Sequence, residues 1–230
     1  MKSWSLQKLA ASALVVCLVT LPGTMEGKDK KIPAPESDAT LAATTGAEFI
    51  VLAGGCFWGI QAVFQHTKGV LSAISGYSGG EARSAQYELV SRGKTGHAES
   101  VKVVFDPSKI TVGQVLQVFF MAHDPTELDR QGPDEGTQYR SVVFYATEDQ
   151  SRITQSYVEQ LNRSGVFKHK IVTQVVPLKA FFPAEAYHQN YATLHPNDDY
   201  IWVNDAPKVM KLRRELPQLY LEAPNLVAVK

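Results

Sequence analysis

Short apolar runs alternate with amphipathic stretches along this chain, and this alternation constrains the fold more than any other feature. Phe49–Leu52 is a continuous apolar run that ends at two glycines, as a buried strand does where it enters a tight turn. Apolar residues at helical spacing over 57–67 predict a helix directly after the turn. By the same criteria we expect strands at 70–77, 100–105, 141–145 and 171–176, helices at 111–123 and 149–163, and a short helix at 85–91.

The predicted elements follow the order β-α-β-β-α-β over residues 49–145. This is the order of the ferredoxin-like split arrangement, and a further helix and strand follow it. The sequence therefore predicts an α/β (α+β) fold, a two-layer ferredoxin-like sandwich with a mixed sheet that is elaborated at the C-terminus. In this topology the first and third strands are neighbours at the centre of the sheet.

The N-terminus has the pattern of an export signal. Lys2 and Lys8 precede a thirteen-residue apolar run, Leu9–Leu21, which is broken by Pro22 and Gly23. A basic start followed by a run this short is typical of a secretory signal, and a buried core helix is the alternative. We expect a signal peptide over 1–23 and an exported protein, periplasmic or secreted, whose contact with a membrane is limited to that segment if it stays uncleaved.

Composition indicates how the rest of the chain is divided and which class of partner is not expected. Residues 24–47 are polar, contain prolines and have few large apolar side chains, which predicts a flexible linker before a single domain over 48–230. The 23 Lys and Arg residues balance the 23 Asp and Glu residues, and no dense basic run occurs, so a nucleic-acid partner is not expected. A monomer is the expected assembly.

The chain has two cysteines, and only one of them lies outside the predicted signal. Cys17 falls within the apolar run, so the mature chain is expected to carry Cys56 alone. A lone thiol in an exported protein is buried and inert, lipid-modified or reactive. Cys56 follows two glycines at the predicted start of a helix, where backbone N–H groups stabilise a thiolate, and this position favours reactivity over a structural role.

Polar groups that a reactive thiol would need occur in three stretches, at 84–90, 95–99 and 132–140. The second stretch leads into the third strand, so Glu99 is expected to approach Cys56 across the sheet. A carboxyl group shielded from water has a raised pKa and donates a proton at neutral pH. The alternative for Glu99 is a solvated carboxylate on the surface.

Six motifs carry a family resemblance. GCFWG at 55–59, GYSGG at 76–80, TGHAE at 95–99, FDP at 105–107, HDPT at 123–126 and GTQYR at 136–140 occur in one order over about 48–191. In this the chain resembles the A-type peptide-methionine (S)-S-oxide reductases, the MsrA family. The resemblance implies reduction of the S epimer of methionine sulfoxide, free or in oxidised proteins, without a bound cofactor or metal.

The resemblance also implies a role for each matching position. Cys56 corresponds to the nucleophile and Glu99 to the acid that protonates the sulfoxide oxygen. The other positions bind the substrate: Tyr87 and Tyr139 through hydroxyls to that oxygen, Phe57 and Trp58 as the pocket for the methyl group, and Asp134 as a polar lining group. Tyr191 lies in a segment that resembles another family motif, and a role near the site and a role in packing both remain open.

The chain departs from many members of the family in having no cysteine after Cys56. Those members use a second cysteine to resolve the sulfenic acid, so this chain resembles a subgroup without the resolving residue. An external thiol reductant is then expected: a thioredoxin, or glutaredoxin with glutathione, or a similar molecule. Two other functions are a thiol peroxidase, although no Arg, Thr or Ser flanks Cys56, and an exported module that binds methionine-rich ligands.

Overall fold

The computed structural model of the chain describes residues 31–228. The strands are β1 (Glu48–Ala53), β2 (Val70–Ser78), β3 (Ala98–Phe105), β4 (Arg130–Gln131), β5 (Asp134–Glu135), β6 (Val142–Tyr145), β7 (Gln174–Pro177) and β8 (Phe181–Pro183). The helices are α1 (Phe57–Gln65), α2 (Tyr87–Val90), α3 (Val112–Ala122), α4 (Glu148–Ser164), α5 (Tyr191–Leu194) and α6 (Ala206–Glu215), and a π-helical turn, Ile201–Asp205, precedes α6. Between residues 31 and 228 no helix combines the length and apolarity that crossing a bilayer requires.

Six strands form one sheet in the order β7-β6-β1-β3-β2-β8. The pair β6 and β7 is parallel and every other pair is antiparallel, so the sheet is mixed, as predicted. β1 lies between β3 and β6, with Leu52 opposite Val101 and Val143, which confirms the ferredoxin-like arrangement. The sequence did not predict β8, because a three-residue strand that ends in proline is too short for a periodic signal.

β1 is buried on both faces, and this explains its continuous apolar run. Ile50 and Leu52 pack into the main core, on the side that α1 and α3 cover. Val51 and Ala53 point the opposite way and pack into a smaller cluster with Phe144. A strand covered on both sides loses the alternation of apolar and polar residues that a half-exposed strand shows.

Residues 31–47, which we expected to belong to a flexible linker, lie against the domain. Ile32 is buried in the main core, and the Tyr157 hydroxyl donates to the Pro33 carbonyl oxygen at 2.6 Å. The Asp38 carboxylate accepts hydrogen bonds from the Thr111 hydroxyl and, at 2.8 Å, from the Gly113 N–H at the start of α3.

Contacts between this segment and the domain therefore begin before residue 48, the predicted start of the domain. Composition could not reveal this, because the segment is held mainly by hydrogen bonds to distant residues and not by its own apolar side chains. The predicted signal and residues 24–30 lie outside the described residues.

Candidate active site

Cys56 lies at the turn where β1 gives way to α1. Gly55 has a φ of +93°, and a Cβ added there would come within 2.6 Å of the Gln131 side chain, so the turn requires glycine. Cys56 is the N-terminal cap residue of α1, its thiol is free, and only 7% of its surface is exposed. The strand, the turn and the helix together fix the sulfur at the positive end of the helix.

Glu99 reaches the same helix start from β3, the neighbour of β1. Its carboxylate oxygen Oε2 accepts a hydrogen bond from the Phe57 N–H at 3.1 Å, next to Cys56. Only 2% of Glu99 is exposed, so it is not the solvated surface carboxylate of the alternative interpretation. The predicted approach of Glu99 to Cys56 is thus present in the structure.

Burial makes Glu99 an acid at neutral pH. It raises the pKa of the carboxyl group to about 8, while the Phe57 N–H opposes the rise and the carboxylates of Asp134 and Asp205 add to it. A carboxyl group with this pKa is mainly protonated at pH 7. Glu99 can therefore donate a proton without help from a second acid.

Cys56 is held as a thiol rather than as a thiolate. Burial, then Glu99 and then Asp205 raise the pKa of the thiol well above its ordinary value. The Trp58 backbone N–H and the Lys208 ammonium lower it, but by less. The helix start does favour the thiolate, as the sequence suggested, but burial and the two neighbouring carboxyl groups outweigh it.

Phe57 and Trp58 form an aromatic wall beside the thiol. Phe57 is 1% exposed and packs on Tyr77 at 5.9 Å between ring centroids. Trp58 is partly exposed, and its indole N–H donates to His188 Nδ1 at 3.2 Å. The Trp58 ring stacks on Tyr191 at 4.0 Å and 15°, so Tyr191 lies near the site and also packs there.

Tyr87 and Tyr139 approach the thiol from two separate segments. Tyr87 opens α2 and Tyr139 closes a 3-10 turn, Thr137–Tyr139, and both side chains are half-buried. Burial raises the pKa of each phenol, and Glu99 and Cys56 raise each one further. Both phenols therefore lie within electrostatic reach of the thiol and the acid, and both stay protonated.

Asp134 connects the hairpin of β4 and β5 to the C-terminal tail. Its carboxylate accepts a hydrogen bond from the Tyr200 hydroxyl. The Tyr200 ring meets Trp58 edge-on at 6.1 Å between centroids. Sequence reasoning did not select Tyr200, although an aromatic residue in the polar stretch 195–209 was a usable signal.

Glu185 is a second residue that the sequence did not select. One carboxylate oxygen accepts from the Tyr77 hydroxyl at 2.8 Å and the other from the Tyr87 N–H at 2.9 Å. Glu185 therefore fixes the start of α2 and with it the position of Tyr87. Nothing in the local sequence marks this, because the partners are about 100 residues apart along the chain.

Fold and site together define a class, an oxidoreductase-like α/β domain in which a buried carboxyl group lies beside a buried thiol. Among residues 31–228 no cluster of three or more His, Cys, Asp or Glu side chains is arranged to bind a metal ion. The chain belongs to the peptide methionine sulfoxide reductase family, whose model matches residues 48–219.

Named relatives cover most of the chain. It is 53% identical over 186 residues to the peptide methionine sulfoxide reductase MsrA 2 of Mesorhizobium japonicum, an alignment that covers 80% of this chain and 95% of that protein. It is 44% identical over 189 residues to the protein of the same name from Synechocystis, with 81% and 88% covered. At these identities and coverages the chain is a peptide methionine sulfoxide reductase.

Solved structures agree with the fold. Reduced Mxr1 from Saccharomyces cerevisiae superposes with a TM-score of 0.61 at 31% identity, covering 70% of this chain and 91% of that one. Methionine sulfoxide reductase A of Corynebacterium diphtheriae gives 0.59 at 31% identity, covering 76% and 92%. The mixed sheet with its covering helices is therefore the fold of these reductases.

Proposed function

We propose that this enzyme reduces the S epimer of methionine sulfoxide, free and in oxidised proteins, through attack of Cys56 on the substrate sulfur. The observation that carries the proposal is the buried Glu99 carboxyl group, hydrogen-bonded to the Phe57 N–H beside the thiol with its pKa raised to about 8. Sulfoxide oxygen is a poor leaving group until it is protonated. A protonated acid next to a nucleophile supplies what this reaction needs.

The first half of the cycle transfers one oxygen atom. Glu99 donates a proton to the sulfoxide oxygen, the Cys56 sulfur attacks the sulfoxide sulfur, and the proton of the thiol passes to Glu99. The hydroxyl group then moves from the substrate sulfur to the Cys56 sulfur, so that the transient S–S bond and the original S–O bond break. Cys56 ends as a sulfenic acid, and methionine leaves with the two electrons that the thiol has lost. Hydrogen bonds from Tyr87 and Tyr139 stabilise the charge that develops on the oxygen, and general acid assistance contributes roughly 10²–10⁴-fold.

The substrate methyl group lies against the aromatic wall. Trp58 presents its ring to the mouth of the site while its indole N–H is held by His188. An apolar surface in a fixed orientation selects a methyl group and positions the sulfur. Asp134, tied to Tyr200, lines the polar side of the same mouth.

The second half of the cycle needs an external thiol, because no cysteine follows Cys56 in the chain. One thiol condenses with the sulfenic acid to give a mixed disulfide and water. A second thiol attacks this disulfide, releases the oxidised reductant and restores the Cys56 thiol. The reductant is of the thioredoxin or glutaredoxin–glutathione type, and export to an oxidising compartment makes repair of exported proteins the biological role.

The test is single-turnover reduction of separated methionine sulfoxide epimers without added reductant. One mole of methionine per mole of enzyme from the S epimer, none from the R epimer, and a sulfenic acid on Cys56 by mass spectrometry are expected. Cys56→Ser should abolish the reaction, whereas Tyr145→Phe, a change at the end of β6, should leave it intact. Equal turnover of both epimers, or an intramolecular disulfide after one turnover, would contradict the proposal.

A further inference from the structure

An ion pair with a buried carboxylate and a partly exposed ammonium, in the C-terminal tail that follows β8, lies against α1, the helix that Cys56 caps. Asp205 ends the π-helical turn, and its side chain is completely buried. Lys208, one turn further in α6, donates from Nζ to Asp205 Oδ1 at 2.9 Å. Asp205 precedes α6 as a helix-capping residue would, yet its side chain makes no capping hydrogen bond. Helix capping therefore does not explain this carboxylate.

The pair touches the first turn of α1 at Gly59, three residues after Cys56. A Cβ added at Gly59 would lie 2.1 Å from Asp205 Oδ1 and 2.9 Å from Lys208 Nζ. Only glycine allows the two charged groups to come this close to the helix backbone. The last residue of the GCFWG motif is thus explained by a contact with the tail.

Stability does not explain the pair either. Asp205 Oδ2 is buried and has no hydrogen-bond partner among the described residues. A buried ion pair with an unsatisfied oxygen contributes less to stability than well-packed apolar side chains of similar volume. A buried charge retained beside a reactive group is a candidate for a role in function.

We propose that Asp205 and Lys208 are positioning residues for Cys56, which fix the first turn of α1 and set the electrostatic environment of the thiol. The inference rests on the proposed function of Cys56 and extends it to the tail. Neither residue touches the substrate in this scheme.

The charges of Asp205 and Lys208 influence the pKa values of the groups at the start of α1. Asp205 raises the pKa of both Cys56 and Glu99, and Lys208 lowers that of Cys56. The resting enzyme thus holds two protons, and a protonated thiol reacts slowly with peroxide. The ionisable groups that reach Cys56, directly or through Glu99, are Glu99 on β3, Asp134 on β5, Asp205 and Lys208 in the tail, and the hydroxyls of Tyr77, Tyr87, Tyr139 and Tyr200.

The test compares the pH dependence of Cys56 alkylation by iodoacetamide in two variants of the same ion pair. Asp205→Asn leaves a lone ammonium, so the pH midpoint of Cys56 alkylation should fall by about one unit. Below that midpoint alkylation should then be roughly tenfold faster than in the wild type. Lys208→Met leaves a lone carboxyl group, so the midpoint should stay or rise. Asp149→Asn, which breaks an exposed ion pair on α4, is the matched control and should change nothing.

A midpoint that falls in Asp205→Asn and does not fall in Lys208→Met distinguishes an electrostatic role from a structural one, because both variants break the same ion pair. A midpoint that falls in both variants, or that moves by less than about 0.3 units in Asp205→Asn, would overturn the proposal. Thermal unfolding verifies the fold, and Asp205→Ser is the second carboxylate variant if the first is misfolded. Alkylation needs no substrate, so this result stands apart from the reductase assay. A wild-type enzyme that fails to reduce methionine sulfoxide would contradict the proposed function but not the positioning role of Asp205 and Lys208.

Discussion

Replacement of Glu99 by glutamine tests the acid role most directly. Glutamine keeps the size of the side chain and its oxygen, so the hydrogen bond from the Phe57 N–H is preserved, but it cannot donate a proton to the sulfoxide. The sulfenic acid should form on Cys56 far more slowly than in the wild type. The thiol itself should become easier to alkylate above pH 8, because the neighbouring negative charge that raises its pKa is gone.

The structure gives the size of the effect. A pKa of about 8, against an ordinary value of 4.5, leaves Glu99 roughly ten parts protonated to one ionised at pH 7, where an exposed glutamate would be protonated in about one molecule in 300. Loss of a general acid costs roughly 10²–10⁴-fold, or about 3–5 kcal/mol of transition-state stabilisation. We expect a loss in that range at pH 7.

The ratio of the wild-type rate to the Glu99→Gln rate, measured as a function of pH, tests the acid role more sharply than either rate alone. Glutamine and protonated Glu99 present the same neutral neighbour to Cys56, so the thiolate fraction cancels when the wild-type rate is divided by the variant rate. The ratio should be constant below about pH 7 and fall about tenfold per unit above about pH 8, where Glu99 is ionised.

Single-turnover reduction of the S epimer, quenched at intervals between about pH 5.5 and 9.5, measures both rates without the recycling step. A ratio near one at pH 7 would transfer the acid role to Tyr87, Tyr139 or water. A large ratio that stays constant through pH 9.5 would show that Glu99 acts by orientation and not by its proton. Either result would refute the inference that burial makes Glu99 the proton donor.

Three further changes probe the packing around the site. Gly59→Ala should destabilise the fold by about 1–3 kcal/mol in urea unfolding, because the added Cβ overlaps a buried carboxylate, whereas Gly46→Ala meets nothing closer than 3.7 Å and should be neutral. Asp38→Ala should cost about 1–2 kcal/mol through loss of its bonds at the start of α3, and an unchanged midpoint would argue against packing of 31–47. Burial lowers the pKa of His123 from 6.5 to about 4. As the pH falls between these two values, the histidine gains a proton in the unfolded chain but not in the folded one, so the free energy of unfolding should drop by up to about 3 kcal/mol. His123→Gln should flatten this dependence in urea titrations, and His169→Gln should not.

The central part of the fold was predictable because each element carries its own periodic signal. The run Phe49–Leu52, the helix after it and the third strand each indicated their type locally, and their order then fixed β1 and β3 as neighbours. The segment 31–47 and β8 carry no such signal. Their positions come from contacts with residues far away in the chain, such as the hydrogen bond from the Tyr157 hydroxyl to Pro33 and the pairing of β8 with β2.

The residues of the site also fall into those that the sequence predicted and those that it did not. Cys56 and Glu99 were identifiable because the turn and the sheet order placed them, and the motifs supplied the aromatic and phenolic positions. Tyr200, Glu185 and Asp205 reach the site from segments that follow β8, through one or two contacts each, and no spacing rule predicts which surface such segments cover. The protonation state of Cys56 was also beyond local reasoning, since burial and the carboxyl groups of Glu99 and Asp205 outweigh the effect of the helix start on its pKa.

The packing of 31–47 would change the distance over which the enzyme could work if the predicted signal peptide were present and stayed in a membrane. A free linker over 24–47 would span at most about 80 Å, whereas the seven residues 24–30 span at most about 25 Å. With Ile32 fixed in the core, an anchored form would hold the domain close to the lipid surface. Its substrates would then be limited to proteins within a narrow layer at the membrane, while a released form would reach the whole compartment.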